Sequence, residues 1–308
     1  MTRGDPTFAT RDELVASPYF ITGPALISFS GGRTSGYMLK QILDAHGGTL
    51  PDDVHVCFAN TGKEREETLR FVHECGTRWN VPIVWLERNR APSDDGDLVT
   101  TFDVVGFNSA SRNGEPFSAL IRQKRYLPNS VTRYCTIELK IRVMRDFARS
   151  LGWKNWSNVV GLRADEMHRV QRAQVRNAAK KDPWVTATPL ADAGVSNRDV
   201  RSFWQKQPFD LNLLPFEGNC DGCFLKARPK LWETERTKPG TLQWWAEAEA
   251  EATAITGKTS GARFVTEYSY AELIRDVQRQ PDMFAGGLFD EDPEMDAECG
   301  LWCAGEAA

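Results

Sequence analysis

Short apolar runs alternate with segments of helical periodicity through the first two thirds of the chain. Consecutive apolar residues bounded by turn-forming residues predict buried strands, and apolar residues that recur with helical spacing predict amphipathic helices. The predicted strands are residues 25–29, 54–59, 83–86 and 159–162. The predicted helices are residues 35–45, 64–79, 137–151, 200–207 and 241–254, and residues 91–118 are predicted to be irregular.

This alternation predicts an α/β fold, in which a parallel twisted sheet carries helices on both faces. Residues 1–24 are expected to form an N-terminal arm, and residues 25–208 the α/β domain. Beyond Pro208 the sequence changes to a Cys-rich loop, a helix rich in Trp, Glu and Ala, and an acidic tail. Residues 209–308 are therefore predicted to be a Cys-containing C-terminal extension that packs on the main domain.

The first predicted strand leads directly into a glycine loop, SGGRTS, at residues 30–35. Ligands collect at the carboxyl ends of parallel strands, where a loop that enters a helix directs several backbone N–H groups toward an anion. Gly31 and Gly32 can adopt positive φ and let a phosphate oxygen approach the main chain. The spacing fits neither the dinucleotide GxGxxG pattern nor the Walker GxxxxGK[ST] pattern. Further donors come from the side chains of Ser30, Arg33, Thr34 and Ser35.

The glycine loop resembles the PP-loop, SGGxDS, of the ATP pyrophosphatase and phosphoadenosine-phosphosulfate (PAPS) reductase superfamily. Thr34 stands where that motif has its Asp. Three more segments resemble the same superfamily in the expected order: FANTGKEREET at 58–68, RYCTIELKI at 133–141 and VVGLRADEMHR at 159–169. The resemblance implies an adenine nucleotide alpha hydrolase-like fold, with ATP or PAPS as the ligand and Mg²⁺ as a companion of ATP.

The resemblance also implies roles for single residues outside the glycine loop. Asn60, Thr61 and Gly62 would line the adenosine or ribose pocket. Arg163 would contact phosphate or sulfate during catalysis, with Glu166 as its orienting partner. Lys140 would belong to the nucleotide site. The alternatives are an exposed ion pair for Arg163 and a solvated helix face for Lys140.

The seven cysteines are expected to be thiols, metal ligands or redox groups, because their number is odd and a cytoplasmic protein rarely has disulfides. GNCDGCF, residues 218–224, aims two thiolates at one point, and a metal would need two more ligands. Cys135 is one candidate, since it precedes a helix whose N-terminal dipole favours the thiolate. Cys303 or Cys299 could be the fourth ligand. Four such cysteine ligands could bind zinc or an iron–sulfur cluster. The alternative is that the CxxC cysteines are a metal-free thiol pair.

The resemblance to iron–sulfur sulfonucleotide reductases favours a [4Fe-4S] cluster on Cys135, Cys220, Cys223 and Cys303. In the tail, ECGL at 298–301 resembles the ECGLH element that carries the nucleophilic cysteine of these enzymes, with Trp302 in place of the histidine. Cys299 would then attack the bound sulfuryl group, and an external thiol or sulfur-donor protein would release the product. The alternative is that Cys299 is a ligand or a spare thiol.

Two cysteines are given no chemical role. Cys57 lies in a predicted strand and Cys75 on a predicted helix, so both are expected to be inert packing residues. Trp204, Trp244 and Trp245 are likewise expected to pack in the core rather than to stack on bases.

The charge of the chain is uneven. Residues 112–181 contain 16 Lys and Arg against 5 Asp and Glu, whereas residues 241–308 contain 4 against 14. A basic middle points to an anionic partner, a polyphosphate or a nucleic acid, and two differing solvated surfaces are the alternative. No apolar run approaches the roughly 18 residues that span a bilayer, and the N-terminus lacks an apolar signal, so we expect a cytoplasmic protein with no membrane partner.

Three functions are compatible with these features. The first is thiol-dependent reduction of a sulfonucleotide by a PAPS-reductase-like enzyme with an iron–sulfur cluster. The second is ATP-dependent sulfur transfer to a nucleic acid through an adenylated intermediate, as in tRNA thiolases and DNA phosphorothioation proteins. The third is a non-catalytic regulatory module that binds a nucleotide and a metal. The resemblance favours the first.

Overall fold

The computed structural model describes residues 17–92, 95, 97–257 and 262–280. Its strands form one six-stranded sheet in the order β4-β3-β2-β1-β5-β6. All neighbouring strands are parallel except β3 and β4, which are antiparallel. The strands are β1 (Ala25–Ser28), β2 (Val54–Asn60), β3 (Ile83–Pro92), β4 (Leu98–Val105), β5 (Trp156–Val160) and β6 (Trp184–Ala187).

Helices connect the strands and form the C-terminal part of the described chain. A short α-helical turn, Tyr134–Thr136, and a π-helical turn, Ile137–Ile141, run directly into α4. The helices are α1 (Arg33–Ala45), α2 (Glu66–Arg78), α3 (Glu115–Lys124), α4 (Arg142–Ser150), α5 (Met167–Ala178), α6 (Pro189–Asp192), α7 (Asn197–Trp204), α8 (Arg228–Thr237), α9 (Gln243–Thr256) and α10 (Tyr270–Arg279).

Helices cover both faces of the sheet. Successive residues of a strand point to opposite faces. Ile27 of β1 accordingly belongs to a core with α1, α2 and α7, whereas the preceding Leu26 packs against α4. Strands buried on both faces read as continuous apolar runs, which is why the sequence revealed β1 and β2. The predicted α/β class is confirmed, and the mostly parallel sheet is Rossmann-like.

A second core joins the C-terminal helices to the main body. Trp232 of α8, Trp245 of α9 and Tyr270 of α10 are fully buried together with residues of α3 and of the turns before α4. Trp245 and Trp204 are packing residues as predicted, and Trp244 lies partly buried against the same core. No helix within the described ranges is long and apolar enough to span a membrane.

The prediction of an irregular segment at residues 91–118 is wrong in two places. β3 continues through Pro92 and pairs with β4, and α3 begins at Glu115. β4 is an edge strand that reads LVTTFDVV and exposes both ends, so it lacks the apolar run of a central strand. β6 was also missed, because it is the other edge strand and only one of its four residues is buried, so it lacks an apolar run.

Candidate functional site

The sheet has a topological switch point between β1 and β5. From β1 the chain continues to β2 and β3 on one side, and later returns to β5 and β6 on the other. In open α/β sheets, ligands bind in the crevice outside the carboxyl ends of the strands at such a point. The segments that follow β1 and β5 are the glycine loop and the Arg163 segment. Two of the predicted site segments therefore meet where this fold places its ligands.

The two glycines of the loop have different conformations. Gly31 has φ 79°, and a Cβ added to it would lie 2.7 Å from Thr68 Cγ2. Gly32 is the N-cap of α1 with φ −98° and ψ 165°, which is extended backbone. Positive φ was predicted for both and is found only at Gly31. Because the N-cap is a glycine, no side chain caps the first turn of α1, whose N–H groups face the carboxyl edge of the sheet.

Hydroxyl groups fix the shape of the glycine loop. Ser30 Oγ and Ser35 Oγ lie 2.9 Å apart, and Ser35 also donates to the Gly32 carbonyl at 3.0 Å. Thr34 is fully buried. These predicted phosphate ligands therefore already share hydrogen bonds with one another in a closed loop.

Arg163 contacts the glycine loop directly. Its NH1 group donates to Thr34 Oγ1 at 3.0 Å, and its Nε group donates to Asp165 Oδ1 at 2.9 Å. The predicted orienting partner, Glu166, instead accepts the Arg163 backbone N–H at 3.0 Å and lies 3.8 Å from Nε. Asp165 thus orients the guanidinium group of Arg163, and Glu166 orients the backbone at Arg163. The ion pair with Asp165 considered as the alternative is present, but its cation is buried while the Asp165 side chain is 41% exposed.

Arg33 lies toward the C-terminal extension. Its Nε and NH2 groups donate to the two carboxylate oxygens of Asp210, both at 2.7 Å, in a bidentate pair. Its carbonyl oxygen accepts from Trp204 Nε1 at 2.8 Å. The sequence predicted a phosphate ligand here, whereas the described contacts of Arg33 connect α1 to the segment after α7.

The predicted ribose segment forms a second loop after β2. Asn60 donates to Glu87 Oε1 at 2.6 Å and to the Ser111 carbonyl at 2.9 Å. Gly62 has φ 78° and accepts the Gly114 N–H at 2.8 Å. The Asn60 side chain is therefore engaged with β3 and with the segment before α3, so it positions the loop.

Glu64 is the centre of this second loop. Its Oε2 accepts the Thr61 N–H at 2.7 Å and the Thr61 hydroxyl at 2.8 Å. Lys140 Nζ lies 3.4 Å from Glu64 Oε1, and the Lys140 side chain is only 12% exposed. Lys140 therefore does not lie on a solvated face. It belongs to the π-helical turn, a local geometry that is frequent at functional sites.

The CxxC loop lies beside both of these loops. Asn219 Nδ2 donates to the Ser30 carbonyl at 3.2 Å, and the Asn219 carbonyl accepts the Arg65 N–H at 2.8 Å. Cys220 pairs with Glu64 in an isolated β-bridge, and its Sγ lies 4.0 Å from Glu64 Oε1. The predicted thiol loop and the predicted nucleotide loop are therefore neighbours.

A buried lysine also lies close to the thiol loop. Lys226 Nζ donates to the Phe216 carbonyl at 3.0 Å. The pKa of Lys226 is lowered to about 8, mainly by burial and also by the charge of Arg65, whereas Cys223 and Cys220 act in the opposite direction. By contrast, burial raises the pKa of the Cys57 and Cys75 thiols well above the usual range, as expected for the inert packing residues they were predicted to be.

The predicted metal ligands are only partly described. Cys135, Cys220 and Cys223 are partly exposed, and Cys135 packs against the second core. Among the described residues, no three or more His, Cys, Asp and Glu side chains are arranged to hold a metal ion. Cys299 and Cys303 lie outside the described residues. The fourth predicted ligand is therefore not described, and the metal site stays a prediction.

Ion pairs neutralise part of the predicted basic region. Arg112, Arg122, Lys124, Arg142, Arg145 and Arg176 all lie within salt-bridge distance of carboxylates. Within the described part of the chain, Arg172, Lys180 and Lys181 are exposed and form no ion pair. Arg125, Arg149 and Lys154 are likewise exposed and have no described ion pair, so positive charge remains on several parts of the surface, one of them along α5 and just beyond it.

Sequence reasoning missed several residues of the site. Glu64, Asn219 and Asp221 stand in the segments that were singled out, but they were assigned no role. Apart from Thr61, which bonds to Glu64, most of their partners lie far away along the chain, so local spacing does not reveal them. The one available signal was their position beside the matched motifs.

Comparison with known proteins shows a similarity to a phage protein. No family model matches the chain. The chain is similar to the uncharacterized nin region protein ORF290 of Escherichia phage lambda, with 29% identity over 209 residues, or 67% of either chain. Because this relative is uncharacterized, it assigns no activity to the chain.

Proposed function

We propose that this chain is a PAPS-reductase-like enzyme with an adenine nucleotide alpha hydrolase-like fold. It binds an adenine nucleotide at the switch point and reduces a sulfonucleotide with thiols. The hydrogen bond from Arg163 to Thr34 carries the proposal, because it joins two separately predicted phosphate-binding segments. A buried guanidinium beside an uncapped helix N-terminus suits a phosphate or sulfate group.

The position of the thiol loop supports sulfur chemistry at the same place. Asn219, which precedes Cys220, is hydrogen-bonded to the first residue of the glycine loop. Thiolates are the nucleophiles that attack sulfuryl and disulfide sulfur. A nucleotide held by the glycine loop would therefore have its sulfuryl group on the side of the sheet where these thiols lie.

The predicted metal site is tested by measuring the iron, sulfide and zinc content of the purified protein. A cluster on Cys135, Cys220, Cys223 and Cys303 would give stoichiometric iron and sulfide after anaerobic purification, and zinc in their place would indicate a structural site. Cys220→Ser should then remove the metal. No step of the proposed reaction is assigned to a metal.

The nucleotide proposal is tested by calorimetry with PAPS and with ATP, followed by product analysis. Release of sulfite from PAPS with a thiol donor would support the proposal. Nucleotide binding without turnover would point to a regulatory module. Gly32→Val should abolish binding, and Gly106→Ala is the matched control, because a Cβ there meets only Ser109 Oγ at 3.9 Å. Unchanged affinity of Gly32→Val would refute the assigned site.

The unpaired positive surface supports ATP-dependent sulfur transfer to a nucleic acid as the second candidate. α5 begins shortly after Arg163 and exposes Arg172, and Lys180 and Lys181 follow its end. Binding of single-stranded RNA and DNA should then weaken with salt and with substitution of these three residues by Gln. Pyrophosphate or AMP formed from ATP only with nucleic acid would favour this candidate over the first.

A further inference from the structure

Arg88 of β3 is a buried cation whose hydrogen bonds go to neutral groups. It is only 5% exposed, and its NH2 group donates to Thr100 Oγ1 at 3.2 Å and to Gln123 Oε1. The Nε atom is buried and has no hydrogen-bond partner among the described residues. Within the same residues, no carboxylate lies at salt-bridge distance from this guanidinium group.

The charge of Arg88 is costly where it lies. Removal of a cation from water costs several kcal/mol unless a partner compensates it. A buried lysine can escape this cost by losing its proton, whereas a guanidinium group keeps its charge. The pKa of Arg88 is lowered, mainly by burial and also by the charges of Arg90 and Arg142, whereas Glu138 acts in the opposite direction. The position therefore favours an additional anion beside Arg88.

Two further cations lie near Arg88. Glu138 of the π-helical turn lies 2.8 Å from Lys124 Nζ and 3.0 Å from Arg142 NH1. Arg88, Lys124, Glu138 and Arg142 are called the Arg88 cluster. Its three cations share one carboxylate, which leaves two positive charges uncompensated. The side chains of Lys124 and Arg142 are 31% and 46% exposed, so a dissolved anion has access to the cluster from their side.

The Arg88 cluster lies at the carboxyl edge of the sheet, beside the proposed nucleotide site. Asn60, the last residue of β2, pairs with Glu87, so Arg88 is the first residue of β3 beyond the end of β2. Glu138 shares the π-helical turn with Lys140, whose Nζ lies 3.4 Å from a carboxylate oxygen of the second loop. The cluster has no residue in common with the glycine loop. An anion bound by the cluster would therefore be additional to one bound by that loop.

We propose that the Arg88 cluster is a second anion-binding site, which takes a phosphate or sulfate group. Guanidinium groups present N–H donors in a planar fork that matches the oxygens of these anions. The bound anion gives the buried Nε of Arg88 an acceptor, and Lys124 and Arg142 add charge from the solvent side. This inference goes beyond the proposed function, because it requires neither turnover nor thiols.

The charge of the cluster selects the class of ligand. A neutral ligand would leave the charge of Arg88 uncompensated. A phosphate monoester carries about 1.5–2 negative charges at pH 7, which matches the two uncompensated cations. Two sources supply this chemistry, namely inorganic phosphate or sulfate and a second phosphate group on a bound nucleotide.

The site is tested by calorimetric titration with inorganic phosphate and with sulfate, in a buffer that contains no other polyvalent anion. The Gly32→Val protein, in which the glycine loop is blocked, should still bind one anion per chain. Arg88→Met should weaken this binding about tenfold or more, as expected when hydrogen bonds to a charged group are lost. Arg142→Gln, at an exposed side chain, should weaken it to a smaller extent. Arg122→Gln is the matched control and should bind as wild type, because Arg122 pairs with Glu251 outside the cluster.

Urea unfolding separates loss of the site from loss of the fold. Phosphate should raise the urea midpoint of the wild type and leave that of Arg88→Met unchanged, because a ligand stabilises only the protein that binds it. Equal shifts would refute the inference, and so would the absence of anion binding by Gly32→Val. If Arg88→Met does not fold, the double variant Lys124→Gln and Arg142→Gln decides. Anion affinity equal to that of the wild type would then exclude the site.

AMP and adenosine 3′,5′-bisphosphate distinguish the two sources of the anion. If a second phosphate group of the nucleotide occupies the cluster, Arg88→Met should weaken binding of the bisphosphate more than binding of AMP. If the cluster takes the free anion, the two nucleotides should be affected alike, and inorganic phosphate should bind together with either. Failure of the proposed function is recognised separately, because PAPS and ATP would then bind to no variant while Arg88-dependent binding of phosphate persists.

Discussion

Substitution of Gly31 by Ala should destabilise the fold strongly. Gly31 has φ 79°, and a new Cβ would lie 2.7 Å from Thr68 Cγ2, which belongs to a fully buried residue. The left-handed conformation costs an L residue about 1–2 kcal/mol, and overpacking of a core costs about 1–3 kcal/mol. We therefore expect Gly31→Ala to lower the free energy of unfolding by about 2–5 kcal/mol.

Gly32→Ala is the matched comparison within the same loop. Its φ of −98° and ψ of 165° suit any residue. Exchange of glycine for alanine at an N-cap costs at most about 1 kcal/mol. This variant should instead lose affinity for the adenine nucleotide, because its methyl group stands at the backbone where the phosphate is proposed to bind.

Urea unfolding followed by circular dichroism measures the first effect, and calorimetry with PAPS and ATP measures the second. The m-value should stay the same in both variants, so that the midpoints report stability alone. Equal losses of stability at the two positions would refute the reasoning. A Gly31→Ala protein within about 0.5 kcal/mol of wild type would also refute it, since that is the spread of neutral substitutions.

Three further predictions address charged groups. Arg163→Lys should weaken nucleotide binding at least tenfold in calorimetry, because a lysine cannot reach both partners of the guanidinium, and equal affinity would contradict this. Glu64→Gln should lower the free energy of unfolding by about 3–5 kcal/mol, and combination with Lys140→Met should restore part of it. A coupling free energy below about 0.5 kcal/mol in the double-mutant cycle of Glu64→Gln and Lys140→Met would exclude a stabilising ion pair between these two side chains. Burial raises the pKa of Glu249 from 4.5 to about 6, so the folded protein holds this proton more tightly than the unfolded chain does. The free energy of unfolding should therefore fall by up to about 2 kcal/mol as the pH rises from 4.5 to about 6 and beyond. Glu249→Gln should flatten the pH dependence of urea unfolding there, and an unchanged slope would disprove the assignment.

The central part of the fold could be predicted from the sequence because its strands are buried on both faces. Ile27 and Leu26 face opposite cores, so β1 is buried at every position and apolar at three of its four residues. β4 was missed because it lies at an edge, pairs on one side only, and exposes Leu98, Val99 and Val104. Edge strands carry less of the apolar signal on which such predictions depend.

The candidate site was predicted where its chemistry is local. The glycine loop and the Arg163 segment are short motifs that end strands, so their place in a parallel sheet fixes their proximity. The bidentate pair of Arg33 with Asp210 could not be found in this way, because the two residues are 177 positions apart. The sequence could not distinguish a charge that faces a ligand from one that faces another part of the protein.

The run Lys63-Glu64-Arg65 shows why the C-terminal extension belongs to the site. By sequence these charged residues lie at the start of the predicted helix 64–79, yet all three are buried in the structure. Removal of a charge from water costs several kcal/mol unless a partner compensates it. Asp221 and Glu217 of the extension supply partners for Lys63 and Arg65. Without residues 217–221 two buried cations would lack these partners directly beside the nucleotide loop. The extension and the sheet therefore stabilise each other through this run, and the site is complete only when both are folded.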